Sequence, residues 1–289
     1  MKVFKFGGAS VKDASSVRNM SAIIKANLDS PLLVIVSAMG KMTNAFEKML
    51  SLTMEEQDYS EALNDIKVYH QTIIQDLGIT LYETLSDEVN EVFEQLENAL
   101  NEFSSSMGYD YMYDQTVSLG EILSTKIIAA FLNSEGVATS WLDARKVVKT
   151  DSLHRQAKVD WGASQAMIKA QVMRQRDEGI VLTQGFIGGN SDFKTTTLGR
   201  EGSDFSAAIF ATSINAESVT IWKDVKGVLN ADPKKFENTA LYERLPYKEA
   251  AEMTYYGASV IHPKTIKPLA QKGIPLYVKS FQEPDKPGT

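Results

Sequence analysis

The sequence predicts an α/β chain organised on a parallel sheet, and three observations carry that prediction. Val3-Phe4-Lys5-Phe6 is a short run of β-branched and aromatic residues without a breaker, which reads as a strand. Val17, Met20, Ile23, Ile24 and Leu28 then recur at helical spacing. Leu32-Leu33-Val34-Ile35-Val36 is an unbroken apolar run, the pattern of a strand covered on both faces. Strand, helix and buried strand in that order begin a parallel sheet.

The remaining elements follow along the chain. Gly7-Gly8 ends the first strand, Asp13 is placed to cap the helix behind it, and that helix runs to about Asp29. Pro31 closes the connection to the second strand, and Ser37 to Asn44 (SAMGKMTN) reads as a loop. Gly40-Lys41 is half of a P-loop only. Ile35 stands where its first glycine belongs, and Met42 intervenes before Thr43.

From about 45 to 110 the pattern is helical, an insertion or lid. Ile66, Tyr69, Ile73 and Leu77 mark one helix, and Val89 to Phe103 another, both read as core stripes. A third helix is expected from about Thr116 to Asn133, with Glu121 near its start. Val137 to Leu142 reads as a strand and Val147-Val148 as a short extended piece. A helix spans Ala163 to Met173, and Gly179 to Thr183 is another buried-type strand. Gln184 to Gly189 reads as a glycine-rich loop and Phe193 to Leu198 as a hairpin arm. Gly199 to Asp204 opens a helix through Ala211, and Val219 to Trp222 is the next strand. Two helices, about 247–257 and 263–272, precede a last strand from Pro275 to Val278.

Composition limits what the chain does. With 289 residues, 43% hydrophobic and 23% charged, it is globular and can bury a large core. A net charge of -7 without a basic run argues against a nucleic-acid partner. There is no cysteine, hence no disulfide, thiolate metal site or cysteine nucleophile. No signal-peptide pattern and no membrane-length apolar run are visible, so a cytoplasmic protein is expected.

Four strand-end loops share one chemistry. Lys5, Gly7 and Gly8 offer a cation and backbone donors beside a helix start, an arrangement suited to phosphate. Gly185-Phe186 offers close backbone approach and an aromatic wall. Arg200, Ser203 and Asp204 place a guanidinium, a hydroxyl and a carboxylate at a helix N-terminus. Asp224, Asp232 and Lys234 follow the next strand. A guanidinium suits a carboxylate, whereas a lysine and a helix N-terminus suit phosphoryl oxygens. Each piece alone has a plainer explanation, a surface ion pair for Arg200 and simple caps for Ser203 and Asp204. His70, His154 and His262 match no ligand spacing and read as structural.

Together and in this order, KFGGAS, SAMGKMTN, SLGE, TQGFIG, TLGREGSD, WKDVKGVLNADPK and YYGASVIHPKTIKP closely resemble the aspartate kinase branch of the amino-acid kinase family. The resemblance spans Lys2 to about Thr289. It implies one catalytic domain over 1–289, with an open, mainly parallel sheet between helical layers. It also implies ATP-dependent phosphorylation of the β-carboxylate of L-aspartate, the first step towards lysine, threonine, methionine and diaminopimelate, with Mg²⁺ carried by ATP. A homo-oligomer is the expected assembly.

By position, Lys5, Gly7, Gly8 and Ser10 resemble the family's phosphate cradle, with Lys5 neutralising the transferring group. Ser37, Thr43, Glu121, Phe186 and Arg200 resemble its aspartate pocket, Glu121 facing the ammonium and Arg200 the α-carboxylate. Ser203 and Asp204 fall between the two sites, Asp204 orienting Lys5. Lys223, Asp224, Leu229, Lys234 and Ser259 fall where the family holds ATP. An aspartate side chain, with a reference pKa of about 3.9, is ionised at neutral pH and needs no general base. Two anions must be brought together, which calls for cations and backbone donors rather than a histidine or cysteine constellation.

Several positions depart from the family pattern. Ala9 stands where threonine is usual, Glu201 where glycine is common, Lys223 for threonine, Leu229 for tyrosine and Lys234 for arginine. Ser259 stands where a nucleotide-contacting lysine is frequent, and Lys223 or Lys264 is expected to supply that charge. The ACT regulatory domains that usually follow in the family are not in this sequence. A sibling kinase acting on glutamate, N-acetylglutamate or a nucleotide monophosphate, and an inactive ligand-binding regulator, are the alternative readings. A Rossmann dehydrogenase is disfavoured because no G-x-G-x-x-G follows the first strand.

Overall fold

Lys5 sits near the middle of a parallel sheet because the strand that carries it is paired on both sides. The computed structural model of the chain describes residues 1–79, 82–104, 106–231, 235–256 and 260–289, with the backbone alone at Tyr82. In chain order the strands are β1 (Lys2–Phe6), β2 (Leu32–Val36), β3 (Thr139–Leu142), β4 (Ile180–Gln184), β5 (Ile187–Gly189), β6 (Thr195–Thr197), β7 (Ser218–Lys223) and β8 (Leu276–Ser280). Six of them form one sheet in the order β3-β4-β2-β1-β7-β8, and every pairing in it is parallel. Lys5 lies opposite Ile35 on one side and Ile221 on the other. Every residue of β2 and β4 is buried. Side chains alternate between faces along a strand, so both faces are covered by helices.

The helices are α1 (Ala14–Lys25), α2 (Met42–Met54), α3 (Ser60–Leu77), α4 (Tyr82–Asn101), α5 (Tyr109–Val117), α6 (Leu119–Ser134), α7 (Ala144–Val147), α8 (Trp161–Gln175), α9 (Gly202–Ile214), α10 (Tyr247–Tyr255) and α11 (Pro263–Lys272). α9 lies over β1, β2 and β7 with α8 and α11 beside it, and α6 lies over β2, β3 and β4. Asp13 caps α1 as its sequence position predicts, its carboxylate accepting the Ser16 amide at 2.7 Å. None of the helices in the described residues is long and apolar enough to cross a membrane.

The stretch from about 45 to 110 is largely helical, as its pattern predicts, and is built into the core. α4 packs on α6, α3 on α1 and α2, and α2 on α5. Ile66, Ile73, Val89, Val92, Phe93 and Leu96 join the same hydrophobic cluster as the sheet. It therefore forms a wall rather than a loose lid.

Local expectations need four corrections. The loop expected over Ser37–Asn44 ends early, because α2 starts at Met42 and buries Phe46, Met49, Leu50 and Thr53 on one face. The helix expected from Thr116 is two helices, broken at Ser118. Val147 closes the short helix α7, capped by Asp143, and only Val148 is extended. The glycine-rich stretch after β4 contains β5, which pairs antiparallel with β6. β6 is the expected hairpin arm, so that expectation holds.

Candidate active site

The carboxyl ends of β1, β2 and β4 and the start of α9 converge on a cleft of about 910 Å³. Such a place, at the ends of parallel strands, is where an open α/β sheet exposes free backbone groups to a ligand. Lys5, Gly8, Ser37, Thr43, Glu121, Phe186, Arg200, Ser203 and Asp204 all line it. These residues come from five separate stretches of sequence.

Asp204 is the electrostatic centre. It is fully buried in the first turn of α9. Lys5 Nζ lies 2.7 Å from its Oδ1, and Lys223 Nζ lies 3.0 Å from its Oδ2. Burial alone would push this carboxyl up. The ammonium groups of Lys5 and Lys223 outweigh burial and hold it below the usual carboxylate range. The carboxylate therefore stays ionised and fixes Lys5 from one side. Lys223 also donates to the Val260 carbonyl at 2.6 Å, and Glu201 Oε2 lies 3.9 Å from it. Lys264 is exposed in the first turn of α11, so Lys223 is the lysine that joins this cluster.

Glu121 is the second buried carboxylate. It sits in the first turn of α6, with its Oε2 unpartnered among the described residues. Burial pushes its carboxyl up to about 8, against the opposing effects of the Ala38 amide, its own amide and the charge on Lys5. A carboxylate this costly to bury is a natural seat for a ligand cation. Arg200 is the complement: it is exposed on the cleft wall and has no ion-pair partner among the described residues.

Close packing and strained backbone build the walls. A Cβ at Gly8 would come within 2.6 Å of the Gly40 carbonyl oxygen, so glycine there lets the loops after β1 and β2 touch. A Cβ at Gly185 would meet the Ser203 Cβ at 2.7 Å, which presses the Phe186 loop onto the start of α9. Phe186 (φ 72) and Glu201 (φ 55) both lie in the left-handed region, uncommon for non-glycine residues. The position of Glu201 thus has a backbone reason to be glycine. At the start of α9, the amides of Ser203 and Asp204 have no backbone partner among the described residues and remain available to an anion.

Not every expected residue faces the cleft. Gly7 adjoins it, its Cβ position 3.4 Å from Lys5 Nζ. The Ser10 hydroxyl is buried 3.5 Å from the Trp222 carbonyl, and its amide donates to the Gly7 carbonyl. Asp224 is exposed, and Leu229 is half-buried in a bridge to Leu241. Lys234 and Ser259 lie outside the described residues.

Sequence reasoning missed two stretches of the lining, Asp110 with Tyr113 and the run Leu153 to Gln156 that includes His154 and Arg155. His154, expected to be structural, has its Nδ1 2.8 Å from the buried Asp114 while the ring lines the cleft.

Residues 1–280 match the amino acid kinase family, and the chain belongs to it. It is 34% identical over 287 residues to lysine-sensitive aspartokinase 3 of Escherichia coli (strain K12), covering 99% of this chain and 63% of that protein. Over 291 residues it is 33% identical to the chloroplastic bifunctional aspartokinase/homoserine dehydrogenase 2 of Zea mays, covering 99% of this chain and 32% of that one. Among solved structures, E. coli aspartokinase III in complex with aspartate and ADP superposes with a TM-score of 0.91 at 31% identity, over 100% of this chain and 64% of that chain. UMP kinase from Bacillus anthracis shares the fold, with a TM-score of 0.55 at 14% identity over 98% of this chain and 88% of that one. The chain spans less than two thirds of the length of the aspartokinase relatives named here.

Proposed function

We propose that the chain is the catalytic unit of an aspartate kinase, transferring the γ-phosphoryl group of ATP to the β-carboxylate of L-aspartate. The observation that carries this reading is Asp204, a buried carboxylate that holds Lys5 and Lys223 at the strand ends beside Glu121 and an Arg200 without an ion-pair partner among the described residues. The relatives' likeness in sequence and in fold points the same way.

In this reading Glu121 takes the ammonium of aspartate and Arg200 its α-carboxylate, leaving the β-carboxylate directed at Lys5. A β-carboxylate oxygen forms the new bond to phosphorus as the bond to the ADP oxygen breaks, and ADP leaves with that electron pair. No proton need move, because the acceptor is already ionised. Lys5 and the free amides of Ser203 and Asp204 stabilise charge on the phosphoryl oxygens, and Asp204 keeps Lys5 aligned. Lys223, Asp224, Leu229, Lys234 and Ser259 are assigned by likeness to the nucleotide side. Mg²⁺ enters on the phosphates of ATP as part of that substrate. A cytoplasmic homo-oligomer completes the proposal.

The test is a trap with hydroxylamine, which converts an acyl phosphate to a hydroxamate. Protein, ATP, Mg²⁺ and L-aspartate should give aspartyl hydroxamate, and glutamate or N-acetylglutamate should give no comparable hydroxamate. UMP, followed by ADP release because its product is not an acyl phosphate, should give no turnover above the acceptor-free rate. A folded, ATP-binding protein that makes no aspartyl hydroxamate would refute the proposal.

A further inference from the structure

One wall of the cleft is a strap, residues 151–158, that the function proposed above leaves without a role. Its ends are closed by the Asp151 amide donating to the Lys158 carbonyl at 3.0 Å and the Lys158 amide donating to Asp151 Oδ1 at 2.9 Å. Its middle is tied to Asp114 of α5, a fully buried carboxylate. Asp114 accepts the Arg155 amide at 3.1 Å and the Thr197 hydroxyl at 2.6 Å, and it pairs with His154 at 2.8 Å. The Ala157 amide donates to the Thr197 carbonyl at 3.0 Å. The strap backbone is therefore rigid where Arg155 leaves it.

Arg155 has φ 63, a left-handed conformation that costs a non-glycine residue energy and persists only where the surroundings hold it. The Arg155 backbone also reaches the loop that carries Arg200: a Cβ at Gly199 would lie 3.0 Å from the Arg155 carbonyl oxygen.

The guanidinium is held loosely by comparison. It lies over the Tyr113 ring at 4.5 Å and the Tyr109 ring at 5.2 Å. Nη1 donates to Asp110 Oδ1 at 3.3 Å, and Nη2 stands 3.7 Å from Glu47 Oε1, beyond hydrogen-bond length. The Arg155 and Asp110 side chains are 40% and 62% exposed, so water screens their pair and it exchanges readily. Only one of five guanidinium donors is spent on a protein hydrogen bond among the described residues. Tyr113, beneath the guanidinium, is close enough to Glu121 and Arg155 for both charges to act on its hydroxyl, in opposite directions. Arg155 thus stands at the Glu121 end of the cleft, on a rigid stalk, with a weakly engaged head.

Resting on the reading of that end as an amino-acid acceptor site, we propose that Arg155 is its second guanidinium, swinging from Asp110 onto the α-carboxylate of the bound acceptor beside Arg200. A carboxylate has about four lone-pair sites, enough for two guanidinium groups approaching from different edges. Leaving a solvated partner for a carboxylate inside the cleft is a favourable exchange for a guanidinium. The ligand class follows: an α-amino acid with a free α-carboxylate, preferred over its α-carboxamide.

The experiment measures steady-state kinetics by hydroxamate formation in wild-type protein and three variants. Arg155→Gln and Arg155→Gly should each raise the KM for L-aspartate about tenfold, with kcat and the KM for ATP within about twofold of wild type. Arg155→Gly suits φ 63 and so keeps the strap folded. The preference for aspartate over its α-carboxamide should shrink in both. Asp110→Asn should lower the KM for aspartate by about two- to threefold, because it releases the guanidinium. A purely structural clasp predicts the opposite sign, since Asp110→Asn would then loosen the wall and raise KM. An unchanged aspartate KM in the Arg155 variants, or a raised one in Asp110→Asn, overturns the inference. A wild-type protein that makes no aspartyl hydroxamate overturns the underlying function and this inference with it. Wild-type turnover with unaltered Arg155 variants overturns this inference alone.

Discussion

Replacing Glu121 with glutamine separates the two consequences of burying a carboxylate. Its carboxyl is raised from 4.5 to about 8 in the folded protein. Between those values the native state binds more protons at this site than the unfolded chain does. Stability from this group is therefore fully present below pH 4.5 and is lost as pH rises through about 8. At about 1.4 kcal/mol per pH unit, that interval sets an upper limit of about 5 kcal/mol, and relaxation of the site brings the expected effect nearer 3 kcal/mol. Glutamine keeps the shape, can still accept the Ala38 amide, and carries no charge. Glu121→Gln should therefore match wild type at pH 4 and exceed its Tm at pH 9 by about 5 °C, taking roughly 0.6 kcal/mol per degree for a chain of this size. The same variant should raise the KM for aspartate at least about tenfold, since a hydrogen bond to a charged group contributes about 1.5–3 kcal/mol. If Glu121 holds the aspartate ammonium as proposed, binding needs it ionised, and the KM for aspartate in wild type should fall about tenfold from pH 7 to 9. Calorimetry at both pH values, with KM measured alongside, is the assay. A Tm difference that does not change with pH, or a variant less stable at pH 9, would refute the reasoning.

Three further predictions follow from the same geometry. Lys5→Ala should lower kcat by about 10²-fold or more, the scale for losing one preorganised charge on the reacting group, while the protein stays folded because Asp204 keeps Lys223; a near-normal kcat with intact circular dichroism would remove Lys5 from the chemistry. Arg200→Ala should raise the KM for aspartate about tenfold or more and leave Tm within about 1 °C, since its guanidinium has no ion-pair partner among the described residues; an unchanged KM would contradict its role. Glu201→Gly should raise stability by up to about 1 kcal/mol in denaturant titrations, because φ 55 suits glycine; a loss of stability would show that the charge of Glu201, 3.9 Å from Lys223, outweighs the backbone strain.

What the sequence made legible was local. The β2 run, the Asp13 cap and the strand-end placement of Lys5 are each readable within a few residues, and each stands where expected. α2 carries a stripe, Phe46, Met49, Leu50 and Thr53, whose helix begins at Met42, inside the stretch read as a loop to Asn44. Glycine-rich residues after β4 hid a strand because β5 takes its pairing from β6 (Ile187 opposite Thr197, Gly189 opposite Thr195) rather than from its own pattern. The cleft itself was legible as separate motifs, and resemblance supplied their union. The strap was not legible at all: His154 meets Asp114 from 40 residues away, and Arg155 reaches Asp110 from 45. No spacing rule connects such positions. Glu201 carried a hint that the sequence reading did not use: a position where glycine is common can require a left-handed backbone, and its φ is 55.

The central claim is that a carboxylate oxygen of aspartate attacks the γ-phosphorus of ATP in this cleft. The most direct measurement is ³¹P NMR of the reaction run with aspartate labelled with ¹⁸O in its β-carboxylate. The account predicts an acyl phosphate resonance shifted by one bridging ¹⁸O, appearing in step with ADP. Phosphate released without ¹⁸O, with no acyl phosphate signal, would mean that water is the acceptor and would contradict it.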